Sequence, residues 1–128
     1  MRFFDIIIKV FVALRRKAVV RFVDEPFVSD AVKHKLSVIK WKMLCGIGMT
    51  RVHFITLSEN KNDIFDIYPG AVFKQKVFRK RDLCILGVAA GGDDAKELAR
   101  VMVNRCLDSC GDLSDIRGYY ERYVKDHL

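Results

Sequence analysis

The run Leu83-Cys84-Ile85-Leu86-Gly87-Val88-Ala89 carries no charged side chain, and just beyond it the chain turns through Gly91 and Gly92 into a pattern of helical period. A stretch this apolar has no face to offer water, so it reads as a strand at the centre of a sheet. The segment after the glycines is its complement. Leu98, Val101, Met102, Arg105 and Cys106 continue a three-to-four-residue spacing to about Cys110, and Gly111 is a natural stop. Asp94 and Glu97 have the spacing of a capping box at the helix start. A buried strand feeding an amphipathic helix must lay that helix on the sheet, which confines the chain to mixed α/β architectures.

The rest of the chain is read around this unit. Residues 3–22 predict a helix with Phe4, Ile7, Phe11, Leu14 and Ala18 as its stripe; the β-branched content would also suit a strand, and length favours helix. Asp24-Glu25-Pro26 ends it, because proline lacks a backbone donor and restricts the residue before it. A connector then runs to about residue 34. The alternation of Ile39, Trp41, Met43 and Cys45 against Lys40 and Lys42 predicts a strand over 36–45, paired as a hairpin with a strand at 51–57 across Gly46 and Gly48. A short strand at 64–68 ends at Pro69-Gly70, and a basic strand comes next at 72–78. A final helix from Ser114 to about Lys125 completes the pattern. The expected fold is α+β: an N-terminal helix, a mainly antiparallel sheet of four to five strands, and two C-terminal helices packed on one face. Residues 1–128 form a single domain, with 1–30 as the one part that could be a loosely attached helix and linker.

At 128 residues the chain can bury a core without covalent staples. Its four cysteines sit mostly in apolar runs, which points to buried thiols in a reducing, cytoplasmic setting instead of a secreted disulfide framework. The apolar stretch at 3–14 is too short and too charged to span a bilayer, and its basic cluster comes after it where a secretory signal would place charge first.

Charge is the second informative feature. Residues 1–81 hold 17 Lys/Arg against 7 Asp/Glu, whereas residues 82–128 hold 6 against 9. Basic clusters fall at Arg15, Arg16, Lys17 and Arg21; at Lys33, Lys35, Lys40 and Lys42; and at Lys74, Lys76, Arg79, Lys80 and Arg81. Brought to one face, they would attract phosphates, anionic lipid or an acidic protein. The interleaved aromatic and basic residues at 73–81 could stack bases on their rings and neutralise phosphates, or form an edge strand whose phenylalanines point inward. The candidate partner-binding set is therefore Lys74, Lys76, Phe78, Arg79, Lys80 and Arg81, with Lys40 and Lys42. A second contact surface is expected from Arg117, Tyr119, Tyr120, Arg122 and Tyr123, residue types that interfaces favour, though this helix could equally cap the domain's own core.

Signatures for chemistry are incomplete. Cys106 and Cys110 lie one helical turn apart and could share a metal with Cys45, Cys84 or His53, yet no Cys-x-x-Cys knuckle is present, and small buried thiols explain them better. The Gly91-Gly92 turn matches neither phosphate-loop pattern, and Asp93 and Asp94 sit where a phosphate would go, so no cofactor is expected. The reading is a small non-enzymatic binding or regulatory protein acting on nucleic acid or an acidic protein, for instance as an inhibitor of a nucleic-acid-processing complex. Two alternatives stand behind it: a small enzyme using Cys84, Cys106 or His53, and a membrane-surface protein docking through its N-terminal apolar and basic segment. Oligomeric state is left open.

Overall fold

The computed structural model describes residues 20–128 apart from Lys61 and Lys80. Its framework is a four-stranded sheet of β1 (Arg21–Val28), β2 (His53–Leu57), β3 (Phe65–Pro69) and β4 (Cys84–Ala89), in the order β1-β4-β2-β3. β4 is central, as its composition requires: it runs parallel to β1 and antiparallel to β2, and β2 pairs antiparallel with β3. Helices α1 (Leu36–Leu44) and α2 (Lys76–Arg79) lie on one face, joined by 3-10 turns at Lys33–Lys35 and Gly70–Lys74. Helices α3 (Gly92–Cys110) and α4 (Ile116–His127) cover the other. The result is three layers with a core on each side of the sheet.

Side chains of β2 and β4 supply both cores. Ile55 and Leu86 point to the α3–α4 side, where they meet Leu98, Met102, Ile116 and Tyr120; Phe54, Ile85 and Val88 point to the other, where they meet Ile39, Met43 and Phe73. Tyr120 has no exposed surface, and its hydroxyl donates to the Met102 carbonyl, so burial of the ring leaves no orphaned polar atom. α3 ends as its sequence predicts. Gly111 adopts φ 81° and its N–H donates to the Leu107 carbonyl, closing the helix with a left-handed residue.

Several sequence expectations are corrected. The predicted N-terminal helix falls mostly on residues 1–19, outside the described residues, while Arg21 and Phe22 belong to β1. Asp24-Glu25-Pro26 does not end an element. These residues sit inside β1 at a register shift between Phe22 and Phe27, and β1 is an edge strand, where a proline without an N–H is tolerated. Residues 36–44 form helix α1, not a strand, so there is no hairpin between 36–45 and 51–57, and β2 instead pairs with β3 and β4. Ile39 and Met43, the buried members of the supposed alternation, are four apart, a separation that a strand and a helix both place on one face; Trp41 is 38 % exposed.

Residues 70–79 likewise form a 3-10 turn and a short helix where a basic strand is expected. Phe73 and Phe78 are five apart and would face opposite ways in a strand. Here both pack on Tyr68, with ring centroids 6.2 and 5.9 Å from it. The capping box is also absent. The helix begins three residues earlier than the box needs, so Asp94 becomes its third residue and reaches back to the Ala90 N–H at 2.8 Å, while Glu97 pairs with Arg100. Ser114 does not cap α4, which starts at Ile116; its hydroxyl donates to Asp112.

Candidate functional site

The carboxyl ends of β1 and β4 and the start of β2 meet at one edge of the sheet, and a cleft of about 420 Å³ opens there on the α1 side. Its walls arise from local chain geometry. After β1 the Ser29 N–H extends the ladder to the Val88 carbonyl, and a turn closed by Val32 N–H on Ser29 leads through Ala31 and Val32 into α1. Lys35, Val38, Ile39 and Lys42 line one wall. Their separations of three, four and seven residues place them on a single helical face. The chain then reverses at Gly46, φ 73°, and residues 48–52 return as the opposite wall.

Gly70 holds that second wall in place. Its N–H donates to the Val52 carbonyl at 2.6 Å, and a Cβ there would lie 2.8 Å from the carbonyl oxygens of both Met49 and Val52. Only glycine permits so close an approach of the two backbones. The inner end of the cleft is Ala90, whose N–H is held by Asp94. The Ser29 hydroxyl stands near that carboxylate without reaching hydrogen-bond geometry. Together with the Ala90 N–H it keeps Asp94 below the usual carboxylate range.

The electrostatics of this edge are one-sided. Segments 30–52 and 70–82 bring Lys33, Lys35, Lys40, Lys42, Arg51, Lys74, Lys76 and Arg81 to the α1–α2 layer against Asp30 and Asp82. Residues 91–128, on the other face, hold six Lys/Arg and eight Asp/Glu. Most arginines elsewhere have acids: Arg117 with Glu121 at 3.1 Å, Arg122 with Asp115 at 3.4 Å, Arg21 with Asp82 at 3.6 Å, and Arg100 with Glu97. Lys35, Lys42 and Arg51, which line the cleft, have no ion pair among the described residues.

The residues singled out from sequence scatter around this cleft. Lys42 lines it, and Lys74 lies against Gly48 on its second wall. Lys40 projects over the Phe22 ring at 5.6 Å, and Lys76 is exposed at the start of α2. Arg79 ends α2, and Lys80 lies outside the described residues. Arg81 is bound to Glu59 at 2.9 Å and sits over the Tyr68 and Phe78 rings. Phe78 is half-buried against Phe73, which is itself fully buried, so these rings serve the core. Lys35 belongs to a basic cluster visible in the sequence. Arg51, Val38 and Met49 were not legible as site residues, and the only hint was an arginine shortly after two closely spaced glycines.

The C-terminal set is turned mostly inward. Tyr120 and Tyr123 are buried, and the Tyr123 hydroxyl donates to the Glu25 carbonyl. Arg117 donates to the Ser58 and Asp63 carbonyls, at 2.7 and 3.1 Å, tying α4 to the β2–β3 loop. Tyr119 is half-buried beside Tyr120, and Arg122 is exposed. Among the thiols, Cys106 is buried in α3 and Cys110 is exposed a turn later. Burial raises the Cys106 thiol, with Cys110 beside it adding to the effect, and burial likewise raises Cys84. Both shifts run opposite to what a thiolate nucleophile needs. Among the described residues, no group of three or more His, Cys, Asp or Glu is gathered to hold a metal ion, and no helix is long and apolar enough to cross a membrane. Comparison with protein families, with characterised proteins and with solved structures finds no match for this chain.

Proposed function

We propose that the chain is a non-enzymatic binding protein that receives an anionic macromolecule on its α1–α2 layer, with an acidic protein as the partner. The observation that carries this reading is the charge distribution across the sheet: Lys35, Lys42 and Arg51, with no ion pair among the described residues, gather around one cleft, while on the opposite layer Arg100, Arg117 and Arg122 are paired with that layer's own acids and Arg105 lies over the Phe27 and Tyr123 rings. A protein partner is favoured over nucleic acid by what accompanies those cations. Val38, Trp41, Ile47 and Val77 are 52, 38, 42 and 65 % exposed on the same layer, which suits apolar contacts rimmed by charge. The aromatic rings that would stack bases, Phe73 and Phe78, are committed to packing.

The test is capture of partners by the tagged chain from lysate, with nuclease-treated and untreated halves compared at two salt concentrations. An acidic protein that is retained after nuclease, weakens with salt and is lost when Lys40→Glu and Lys42→Glu are introduced supports the reading. Nuclease-sensitive material would transfer the function to nucleic acid. The absence of any salt-dependent partner would overturn both.

A further inference from the structure

We propose that the cleft between α1 and residues 48–52 is a binding site for a small polyvalent anion with a flat apolar body, in the class of nucleoside phosphates. The inference goes beyond macromolecular docking and does not depend on it. Lys35, at the end of the 3-10 turn that leads into α1, and Lys42, in the last turn of α1, line the same wall seven residues apart. Arg51 approaches from the opposite wall. Cations spaced along a slot match a chain of phosphates better than a single one, and guanidinium supplies paired donors for phosphate oxygens.

Three like charges lining one cleft repel each other, and none forms an ion pair among the described residues, so a bound anion would relieve that repulsion; the one carboxylate at the inner end, Asp94, is held by the Ala90 N–H. The neutral part of the slot is apolar on both sides. Val38 and Ile39 lie on the helical wall and Met49 and Val52 on the other, and Val38 is 52 % exposed. A flat ring inserted between the walls would cover it. A volume of about 420 Å³ is within the range of small-molecule sites. The position is also one where sheets of this kind take ligands. It lies off the carboxyl ends of the parallel pair, where the chain leaves β1 for α1 on one face of the sheet and leaves β4 for α3 on the other. No phosphate-loop motif is needed, because side chains and not backbone amides supply the positive charge.

The experiment is titration of the purified chain with ATP, tripolyphosphate and adenosine, read by calorimetry and by the fluorescence of Trp41, the chain's single tryptophan, on α1. ATP should bind, tripolyphosphate at least tenfold more weakly, and adenosine without measurable affinity. Arg51→Ala and Lys35→Ala should each weaken ATP at least fivefold with the circular dichroism unchanged, Val38→Asp should abolish binding, and Lys125→Ala at the end of α4 should leave it unaltered. Equal affinity for ATP and tripolyphosphate would reduce the site to non-specific charge and overturn the proposal. So would ATP binding that survives the cleft substitutions, or no ATP binding at millimolar concentration.

Discussion

The two faces of the sheet carry helices of similar apolar appeal but opposite completeness. On the α3–α4 side, Tyr120 and Tyr123 donate to backbone carbonyls, Arg117 ties down a loop, and acids pair with arginines along each helix. On the α1–α2 side, the core beneath is equally buried, yet the surface leaves Lys35, Lys42 and Arg51 around an open cleft; exposed aliphatic side chains occur on both sides, Val38 and Val77 here and Val101 and Leu107 on α3. The cations that line the cleft have no ion pair among the described residues, whereas Arg100, Arg117 and Arg122 on the other face each hold an acid. On the function proposed above, the α3–α4 layer stabilises the domain and the α1–α2 layer receives the partner.

Substitutions can break that division or sharpen it. The largest effect should come from Tyr120→Ala, which empties a fully buried site in the α3–α4 core. A loss of about 3–5 kcal/mol is expected from the urea midpoint, enough to unfold a marginal domain. Tyr120→Phe, which removes only the hydroxyl, should cost about 1 kcal/mol. Gly70→Ala is next. It forces a Cβ against two backbone oxygens behind the cleft, so about 1–3 kcal/mol of destabilisation should accompany weakened binding. A variant with normal stability and normal binding would show that residues 48–52 can move aside freely.

Arg117→Ala should cost about 1 kcal/mol through its lost carbonyl contacts, with solvent at the half-buried site limiting the effect, and should leave partner binding intact. Arg51→Ala should do the reverse: stability within about 0.5 kcal/mol of the parent, with binding reduced. If Arg117→Ala impaired binding and Arg51→Ala did not, the assignment of roles to the two layers would be inverted.

The smallest effect concerns acid stability. Asp94 is held below the ordinary aspartate value of 3.8, so the folded chain takes up that proton less readily than the unfolded one. Its contribution is complete above that value and fades as pH falls through the lowered one. Asp94→Asn should therefore flatten the pH dependence of stability below pH 4 and leave it unchanged near neutrality.

How much of this was legible depends on how far each element's periodicity could discriminate. β4 and α3 were readable because one is apolar throughout and the other repeats over many turns with a glycine stop. α1 was misread because Ile39 and Met43 satisfy both periods. The 70–79 segment was misread because its alternating charges resemble an edge strand, whereas Phe73 and Phe78 meet only by curling back onto Tyr68. Of the candidate site, the basic character of 33–42 was visible. The opposing wall at 48–52 was not, since its role depends on Gly70, a residue far along the chain.

By itself the sequence determined a mixed α/β chain, a central apolar strand, the long helix with its left-handed stop, and an excess of positive charge ahead of residue 82. Those features come from local patterns of burial and backbone freedom, which need no knowledge of neighbours. Only the tertiary structure decided that β1 runs parallel to β4, that two short helices replace predicted strands, and that Lys35, Lys42 and Arg51 line one cleft. Strand order and the meeting of distant side chains arise from packing between segments far apart in the chain, and no local spacing encodes them.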